Sequence, residues 1–294
     1  MSFASHPLGR TGLVVSRLGL GLAAIGRPGY ITLGRSRDLP AQRTPEALYA
    51  RCAAVLDAAH GAGVRYVDVA RSYGRAEEFL ARWLAERPLA RDAITVGSKW
   101  GYRYTAAWQV DAAVHEQKEL SRTRFEEQCA ESRALLGERL ALYQIHSATA
   151  ESGVLGDEPL LGALVEARDR GAFRALGLTL TGATARRTLE LALDARVAGE
   201  RVFDVVQATF NVLEPSLRDG LAAAHAAGLG VIVKEAHANG RLTAANGRAA
   251  DTGLCAQLEL LSRDASVPVD RLALAFVAAE PWVDVVLSGA ATVE

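Results

Sequence analysis

Residues 203–236 read FDVVQATFNVLEPSLRDGLAAAHAAGLGVIVKEA, two strand-like segments separated by one helical pattern. The segments FDVVQATF (203–210) and GVIVKEA (230–236) are almost continuously apolar and rich in β-branched residues. Such runs are typical of parallel strands that helices cover from outside. Between them, Pro215 opens a helical pattern that Gly228 ends. The stretch therefore predicts one β-α-β unit of a parallel sheet.

The same unit recurs along the whole chain. Six further segments have the composition of buried strands: SRLGLGL (16–22), VRYVDVA (64–70), AITVGSK (93–99), LALYQIH (140–146), AFRALGLT (172–179) and VDVVLSG (283–289). Helical patterns lie between them, such as those opened by Thr44-Pro45 and by Glu158-Pro159. Eight strands that alternate with helices favour a (β/α)8 TIM barrel over an open doubly wound sheet. We predict an α/β chain whose residues 1–294 form a single barrel domain.

The N-terminal and C-terminal segments of the chain lead to two further predictions. The segment PLGRTGLVVS (7–16), with a turn at Thr11-Gly12, predicts an N-terminal β-hairpin that plugs the barrel bottom. Few residues follow Gly289, although a (β/α)8 barrel has a helix after its eighth strand. The sequence therefore predicts that the final helix is missing and that the natural protein continues. Without that helix, alternate residues of VDVVLSG are expected to face water.

Composition excludes several classes of protein. The 294 residues include 33 Lys and Arg against 34 Asp and Glu, for a net charge of −1, whereas nucleic-acid binders usually carry a basic excess. The three cysteines are widely spaced and form no CxxC pair, so neither a disulfide framework nor a zinc site is indicated. No apolar run has the length of a membrane span or of a signal-peptide core. We expect a cytoplasmic protein without nucleic-acid or membrane partners; the oligomeric state has no signal in the sequence.

Four residues with complementary chemistry lie at or just after predicted strand ends. Asp68, Lys99 and His146 end the second, third and fourth strands, and Tyr73 follows Asp68 in DVARSYG. Each has an ordinary alternative: a helix cap, a packing residue, a rim charge and a core histidine. Barrel enzymes, however, build their active sites at the C-terminal ends of the strands. We therefore predict that the four residues form one acid–base site.

The chemistry of this set is that of a proton donor. A tyrosine has an ordinary pKa of about 10, and a nearby ammonium group is expected to lower the pKa of Tyr73. A carboxylate keeps the lysine charged, and a histidine can hydrogen-bond a substrate carbonyl oxygen. A group that protonates a forming alkoxide needs a hydride donor as its partner. GLGLAAIG (19–26) lacks the spacing and context of a GxGxxG motif, so a nicotinamide cofactor would lie across the barrel mouth.

In these residues the sequence resembles the aldo-keto reductases, over essentially the whole chain. The segments that carry the resemblance are LGRTGLVVSRLGLG (8–21), VRYVDVARSYG (64–74), ITVGSKWGY (94–102), LALYQIHSAT (140–149), FRALGLTLTG (173–182), FDVVQATFNVLEP (203–215) and VIVKEAHANGRL (231–242). The resemblance implies a catalytic tetrad of Asp68, Tyr73, Lys99 and His146. It further implies reduction of an aldehyde or ketone to an alcohol, or the reverse, with NADP as cofactor and NAD not excluded.

The resemblance also implies binding residues. Gln207 matches the family's glutamine for the nicotinamide carboxamide, while the family's Ser-Asn pair reads Thr179-Leu180, which keeps the hydroxyl and loses the amide. Lys234 stands where an aromatic residue often stacks on the nicotinamide, and contact with a phosphate, approach to the nicotinamide and a simple rim charge remain open. The other cofactor residues implied are Gly21, Leu22, Glu235, Ala236, His237, Ser288, Gly289 and Ala290.

The substrate pocket is expected among aromatic residues of two long connections. These connections, residues 23–43 and 100–122, follow the first and third strands, and loops of this length are usually functional or disordered. Trp100 and Tyr102 are assigned to the substrate, and Tyr30, Tyr104 and Trp108 are candidates to shape specificity. An alternative function is a cofactor-binding redox sensor or partner subunit with little turnover; the intact tetrad favours an enzyme.

Overall fold

The chain begins with a two-stranded antiparallel hairpin. In the computed structural model, which describes residues 4–29 and 38–293, β1 (Ser5–Pro7) pairs with β2 (Val14–Ser16). Leu8, Leu13 and Val15 of this segment are fully buried and form one cluster with side chains inside the barrel. The hairpin therefore closes the barrel from below, which confirms the predicted plug.

Eight parallel strands form a closed barrel, and each overlaps one of the eight predicted segments. They are β3 (Leu18–Gly21), β4 (Tyr66–Asp68), β5 (Thr95–Trp100), β8 (Leu140–Ala148), β9 (Ala175–Leu180), β12 (Val205–Thr209), β13 (Gly230–Lys234) and β14 (Val285–Ser288). Strand β12 pairs with β9 on one side and with β13 on the other, which closes the ring. The (β/α)8 barrel is thus confirmed.

Helices lie between the barrel strands and cover them. Those described are α1 (Pro45–Gly61), α2 (Ala76–Ala85), α3 (Arg122–Leu136), α4 (Glu158–Asp169), α5 (Ala185–Asp194), α6 (Arg218–Ala226), α7 (Thr252–Ala265) and α8 (Val269–Ala278). The Thr44 hydroxyl accepts a hydrogen bond from Ala47 N, as expected for the residue that caps α1. Helix α6 begins at Arg218 rather than directly at Pro215.

The connection after β5 contains a short antiparallel ribbon. Strand β6 (Tyr102–Tyr104) pairs with β7 (Glu116–Lys118) within the predicted loop 100–122. A second small pair, β10 (Arg196–Val197) and β11 (Glu200–Arg201), precedes β12. Because the first ribbon follows the C-terminal end of β5, it lies at the barrel mouth.

The last barrel strand is covered, contrary to the sequence expectation. No helix follows β14 among the described residues, which end at 293. Nevertheless Val283, Val285 and Val286 are essentially unexposed, so the prediction that part of this strand faces water is wrong. Val285 belongs to the cluster around the hairpin plug, while Val283 and Val286 belong to the outer core. Helix α8, which precedes β14, packs against it and supplies this cover.

Candidate active site

A buried ion pair lies inside the barrel near its C-terminal end. Asp68 ends β4 and Lys99 lies on the neighbouring strand β5, with Asp68 opposite Gly97 in the register. Lys99 Nζ donates to Asp68 Oδ1 and, at 2.9 Å, to the carbonyl oxygen of Val69. The exposed fraction of the side chain is 1 % for Lys99 and 3 % for Asp68. Charges this deeply buried are stable only when paired and hydrogen-bonded, and here each is both.

Tyr73 stands next to this pair. It follows β4 in a turn in which Tyr73 N donates to Ala70 O at 3.1 Å. Lys99 Nζ lies over the Tyr73 ring, 4.7 Å from its centre. Among the described residues the Tyr73 hydroxyl has no hydrogen-bond partner, which leaves it available to a ligand.

His146 reaches the same place through an irregularity in its strand. The pairing of β8 with β9 is interrupted between Ile145 and Ala148, and Ser147 has a φ of 56°. Ser147 N donates to Thr179 Oγ1 at 2.6 Å, which holds the irregular segment against β9. Bulges of this kind re-aim side chains next to active sites. The His146 ring packs edge-on against Tyr73, with the ring centres 5.6 Å apart.

The structure therefore brings all four predicted tetrad residues together, but the electrostatics differ from expectation. Burial, followed by the Asp68 charge, raises the pKa of Tyr73 well above its ordinary value. The predicted lowering of this pKa is wrong for this structure, because burial and the nearby carboxylates outweigh the effect of the neighbouring cations. Burial, followed by the Lys99 charge, lowers the pKa of His146 well below its ordinary value. At neutral pH the site thus holds a protonated phenol and a neutral imidazole.

The His146 electrostatics give a first prediction. In an NMR titration the imidazole resonance, identified by its loss in His146→Asn, is expected to shift only well below pH 6.5. Lys234→Met removes a neighbouring cation and raises this pKa, since a like charge disfavours the imidazolium. Lys118→Met raises it less, because the Lys118 charge acts more weakly on His146. An imidazole that titrates at or above 6.5 in the wild type, or that ignores the loss of Lys234, contradicts this picture.

Gln207, which the resemblance assigned to the nicotinamide carboxamide, forms hydrogen bonds inside the barrel. Its Nε2 donates to Asp68 Oδ2 at 2.9 Å, and its side chain is buried. Tyr66, on the same strand as Asp68, donates its hydroxyl to the same oxygen at 3.2 Å. Sequence reasoning missed Tyr66, although residues two apart on a strand share one face and this spacing pointed to it.

Two ion pairs lie at the mouth of the barrel. Arg27, from the connection after β3, pairs with Glu116 of β7 at 3.0 Å, and its guanidinium carbon lies 5.8 Å from the centre of the Tyr73 ring. Lys234 pairs with Glu235 at 3.0 Å and donates to Thr209 Oγ1 at 2.8 Å. Lys234 is therefore engaged at the rim. No sequence pattern points to the pair of Arg27 and Glu116, because the two residues are distant along the chain.

A polar groove of about 440 Å³ extends from this rim. Its volume falls within the range of small-molecule sites. The groove is lined by side chains that follow β12 and β13, mostly hydrogen-bonding groups: Thr209, Asn211, Leu213, Glu214, Glu235, Ala238, Asn239, Arg241 and Arg248. Arg241 is held by Asp251 through two bonds of 2.9 and 2.7 Å. Two guanidinium groups, two amides and a hydroxyl supply donors of the kind that bind phosphate, and they share the groove with the carboxylates of Glu214 and Glu235.

The remaining predicted residues are spread around the mouth. Thr179 uses its hydroxyl to hold Ser147, and His237 Nε2 lies 3.1 Å from Asp270 O of α8. Ser288, at the end of β14, is opposite Leu20 in the register, next to Gly21. Of the others, Gly289 and Ala290 are exposed, whereas Leu22 and Ala236 are buried.

The two aromatic residues assigned to the substrate have different surroundings. The Tyr102 ring packs against His146 with the ring centres 4.9 Å apart, so it borders the tetrad. Trp100 has no exposed surface and packs against Phe125 in the core at 5.3 Å. Trp100 is therefore not a wall of the mouth in this structure. Tyr104 lies in strand β6 and Trp108 in the connection between β6 and β7, where the Trp108 indole donates to Arg43 O at 2.7 Å. Tyr30 lies outside the described residues.

Within 4–29 and 38–293, no group of three or more His, Cys, Asp or Glu side chains is placed to hold a metal ion. No helix in those ranges has the length and apolar character needed to cross a membrane.

Comparison with known proteins identifies relatives of the fold. The model of the Aldo/keto reductase family matches residues 17–294. An aldo-keto reductase from Bacillus halodurans, solved in a holo form, superposes with a TM-score of 0.76 at 20 % identity, covering 99 % of this chain and 87 % of that one. A glycerol dehydrogenase from Gluconobacter oxydans gives 0.74 at 20 % identity, covering 99 % and 88 %.

A third structure is similar at slightly higher sequence identity. A putative aldo-keto reductase from Pseudomonas aeruginosa gives a TM-score of 0.69 at 24 % identity, covering 98 % of this chain and 90 % of that one. At these identities the structures show a shared fold. No curated protein matches the chain at a significant level.

Proposed function

Because the chain belongs to the aldo/keto reductase family, whose members are oxidoreductases of carbonyls and alcohols, we propose that it reduces an aldehyde or ketone with NADPH, or catalyses the reverse. The observation that carries the proposal is the Tyr73 hydroxyl. It has no partner among the described residues, and its ring lies between the Lys99 ammonium and the His146 imidazole. That is the arrangement that a proton donor to a bound carbonyl oxygen requires.

Each of the four tetrad residues has its own role in the proposed reaction. A bound nicotinamide dinucleotide supplies the hydride. His146, neutral because of its lowered pKa, donates from a ring nitrogen to the substrate oxygen and orients it. Tyr73 passes its proton to that oxygen, which becomes a stronger base than a phenolate as it gains negative charge. The Lys99 ammonium, which lies over the Tyr73 ring, offsets the charge of the phenolate that remains, and Asp68 holds Lys99 in place.

The polar groove supports the cofactor part of this proposal. Its guanidinium and amide groups can donate to a phosphate-bearing ligand beside the Glu214 and Glu235 carboxylates, and Glu235 connects the groove to Lys234 at the rim of the tetrad. We assign the dinucleotide to this groove and to the turn at residues 288–290. We propose NADP rather than NAD as the cofactor, and the test below compares NADPH with NADH.

The pocket for the carbonyl substrate is assigned to Tyr102 and the ribbon, without Trp100. The proposal includes a cytoplasmic location, which is consistent with three cysteines that are all free. It also includes a small-molecule substrate as the partner, since the net charge of −1 offers no attraction to nucleic acids.

Steady-state turnover tests the proposal. The purified chain is incubated with NADPH or NADH and a panel of carbonyls that includes para-nitrobenzaldehyde, glyceraldehyde and D-xylose. We expect consumption of many equivalents of NADPH with at least one carbonyl, and less with NADH. If the chain binds NADPH but consumes no more than one equivalent across the panel, the redox sensor is the better description.

A further inference from the structure

The interior of the barrel next to Asp68 is polar. Barrels of this kind are usually filled by branched apolar residues in layers. Here Tyr66 of β4, Gln144 of β8 and Gln207 of β12 meet inside the ring, and each is at most 1 % exposed. Three polar side chains in one buried layer require specific partners, because an unpaired polar group is costly there.

These side chains converge on one oxygen of Asp68. The Oδ1 atom accepts from Lys99, while Oδ2 accepts from Gln207 Nε2 at 2.9 Å and from the Tyr66 hydroxyl at 3.2 Å. Gln144 Nε2 lies 3.5 Å from the same Oδ2, and Gln144 Oε1 accepts from Gln207 Nε2 at 3.4 Å. The carboxylate is therefore held from both sides, by Lys99 on one oxygen and by neutral donors on the other.

Glycines on neighbouring strands make room for this layer. A Cβ atom on Gly97 would lie 2.2 Å from the Tyr66 hydroxyl, and one on Gly19 would lie 2.9 Å from the Tyr66 ring. A Cβ atom on Gly177 would lie 3.0 Å from the Gln144 side chain. The Tyr66 hydroxyl reaches Asp68 through space that only a glycine at position 97 leaves open.

We propose that Tyr66 and Gln207 are positioning residues, which fix the Asp68 carboxylate from inside the barrel and through it hold Lys99 beside Tyr73. In this role Gln207 serves the acid–base pair and not the nicotinamide carboxamide that the resemblance assigned to it. Lys99 has two acceptors, Asp68 Oδ1 and Val69 O, so a carboxylate free to rotate would leave the ammonium with one fixed acceptor and loosen its place over the Tyr73 ring. The proposal rests on the proposed function for its kinetic consequences.

The first test removes the Tyr66 hydroxyl alone. Tyr66→Phe is expected to lower kcat for glyceraldehyde about tenfold with KM and the NADPH Kd unchanged, the size of one hydrogen bond to a charged group. Tyr143→Phe is the matched control, because Tyr143 is equally buried and its hydroxyl lies 3.2 Å from Ser132 Oγ, away from the tetrad. We expect its kcat to stay within about twofold of the wild type. Equal losses of kcat in the two variants would reduce Tyr66 to a structural residue and overturn the proposal.

The second test decides what Gln207 serves. Gln207→Met keeps the length of the side chain and removes its donors. We expect kcat to fall about tenfold while the NADPH Kd, measured by fluorescence titration, changes less than about twofold. A Kd that rises about tenfold while kcat at saturating NADPH is retained would assign Gln207 to the carboxamide and overturn its positioning role.

The third test asks whether the Tyr66 hydroxyl is the point of contact. Gly97→Ala is expected to lower kcat in the wild-type background, because its new methyl group displaces that hydroxyl. In the Tyr66→Phe background the same substitution has a much smaller further effect. Equal effects in both backgrounds would mean that Gly97→Ala acts elsewhere.

A readout without turnover separates this inference from the proposed function. A buried, fixed ammonium exchanges its protons slowly, so a Lys99 Nζ signal is expected by NMR in the wild type and in Tyr143→Phe, and it is lost to faster exchange in Tyr66→Phe. If this pattern holds in a chain that turns over no carbonyl, the positioning stands and the proposed function fails. If the chain turns over while the Lys99 signal persists in Tyr66→Phe, the positioning fails and the function stands.

Discussion

Tyr73→Phe is expected to lower kcat for carbonyl reduction by about 10²–10⁴-fold, the usual worth of a general acid, while NADPH binds as in the wild type. The phenol acts in the chemical step, when the oxygen gains charge, and adds little to ground-state affinity. The ring itself is kept in the variant, so its contacts with Lys99 and His146 remain. Steady-state kinetics together with a fluorescence titration of NADPH measure both parts.

Tyr143→Phe is the matched control for this substitution as well. Tyr143 is fully buried outside the tetrad, and its hydroxyl lies 3.2 Å from Ser132 Oγ. Its removal is expected to leave kcat within about twofold of the wild type. A Tyr73→Phe variant that keeps more than about a tenth of the wild-type kcat contradicts the assignment of Tyr73 as the proton donor.

The barrel was predictable because its signal is local and repeated. Each strand buried on both faces is a short apolar run, and each helix between strands has its own start, such as the Thr44 cap of α1. What failed was the environment of β14. The expectation of exposure considers only the helix that follows a strand. Val283 and Val286 are instead covered by α8, which precedes them.

The tetrad was predictable because strand ends converge at the barrel mouth, but its electrostatics were not. The sign of the Tyr73 pKa shift depends on how far burial and the Asp68 charge outweigh the neighbouring cations, which the sequence does not show. The irregular backbone that positions His146 was not predictable either. Ser147 has a positive φ, a conformation that a glycine in the sequence would usually indicate. For Gln207, the resemblance names a residue type at a position, whereas the direction of its amide is set by its hydrogen bonds to Asp68 and Gln144.

Lys99→Met is expected to lower kcat about as severely as Tyr73→Phe, by about 10²–10⁴-fold, since it removes the charge that stabilises the phenolate. It also leaves the buried Asp68 carboxylate without its cation, which typically costs about 3–5 kcal/mol in the free energy of unfolding. Asp68→Asn should do less harm to kcat, because the amide oxygen still accepts from Lys99, and Val69 O holds the ammonium as well. Urea unfolding and steady-state kinetics measure the two effects separately.

The double variant Asp68→Asn/Lys99→Met separates stability from catalysis. It removes both buried charges at once, and neutral replacements of a buried pair are often close to neutral for stability. We therefore expect the double variant to be more stable than Lys99→Met alone, while its kcat remains as low. A double variant that recovers kcat together with stability would mean that Lys99 acts only through the fold, and the role of its charge beside Tyr73 would have to be abandoned. A variant that recovers stability alone shows that the fold tolerates neutral replacements of the ion pair, whereas the reaction requires the Lys99 cation.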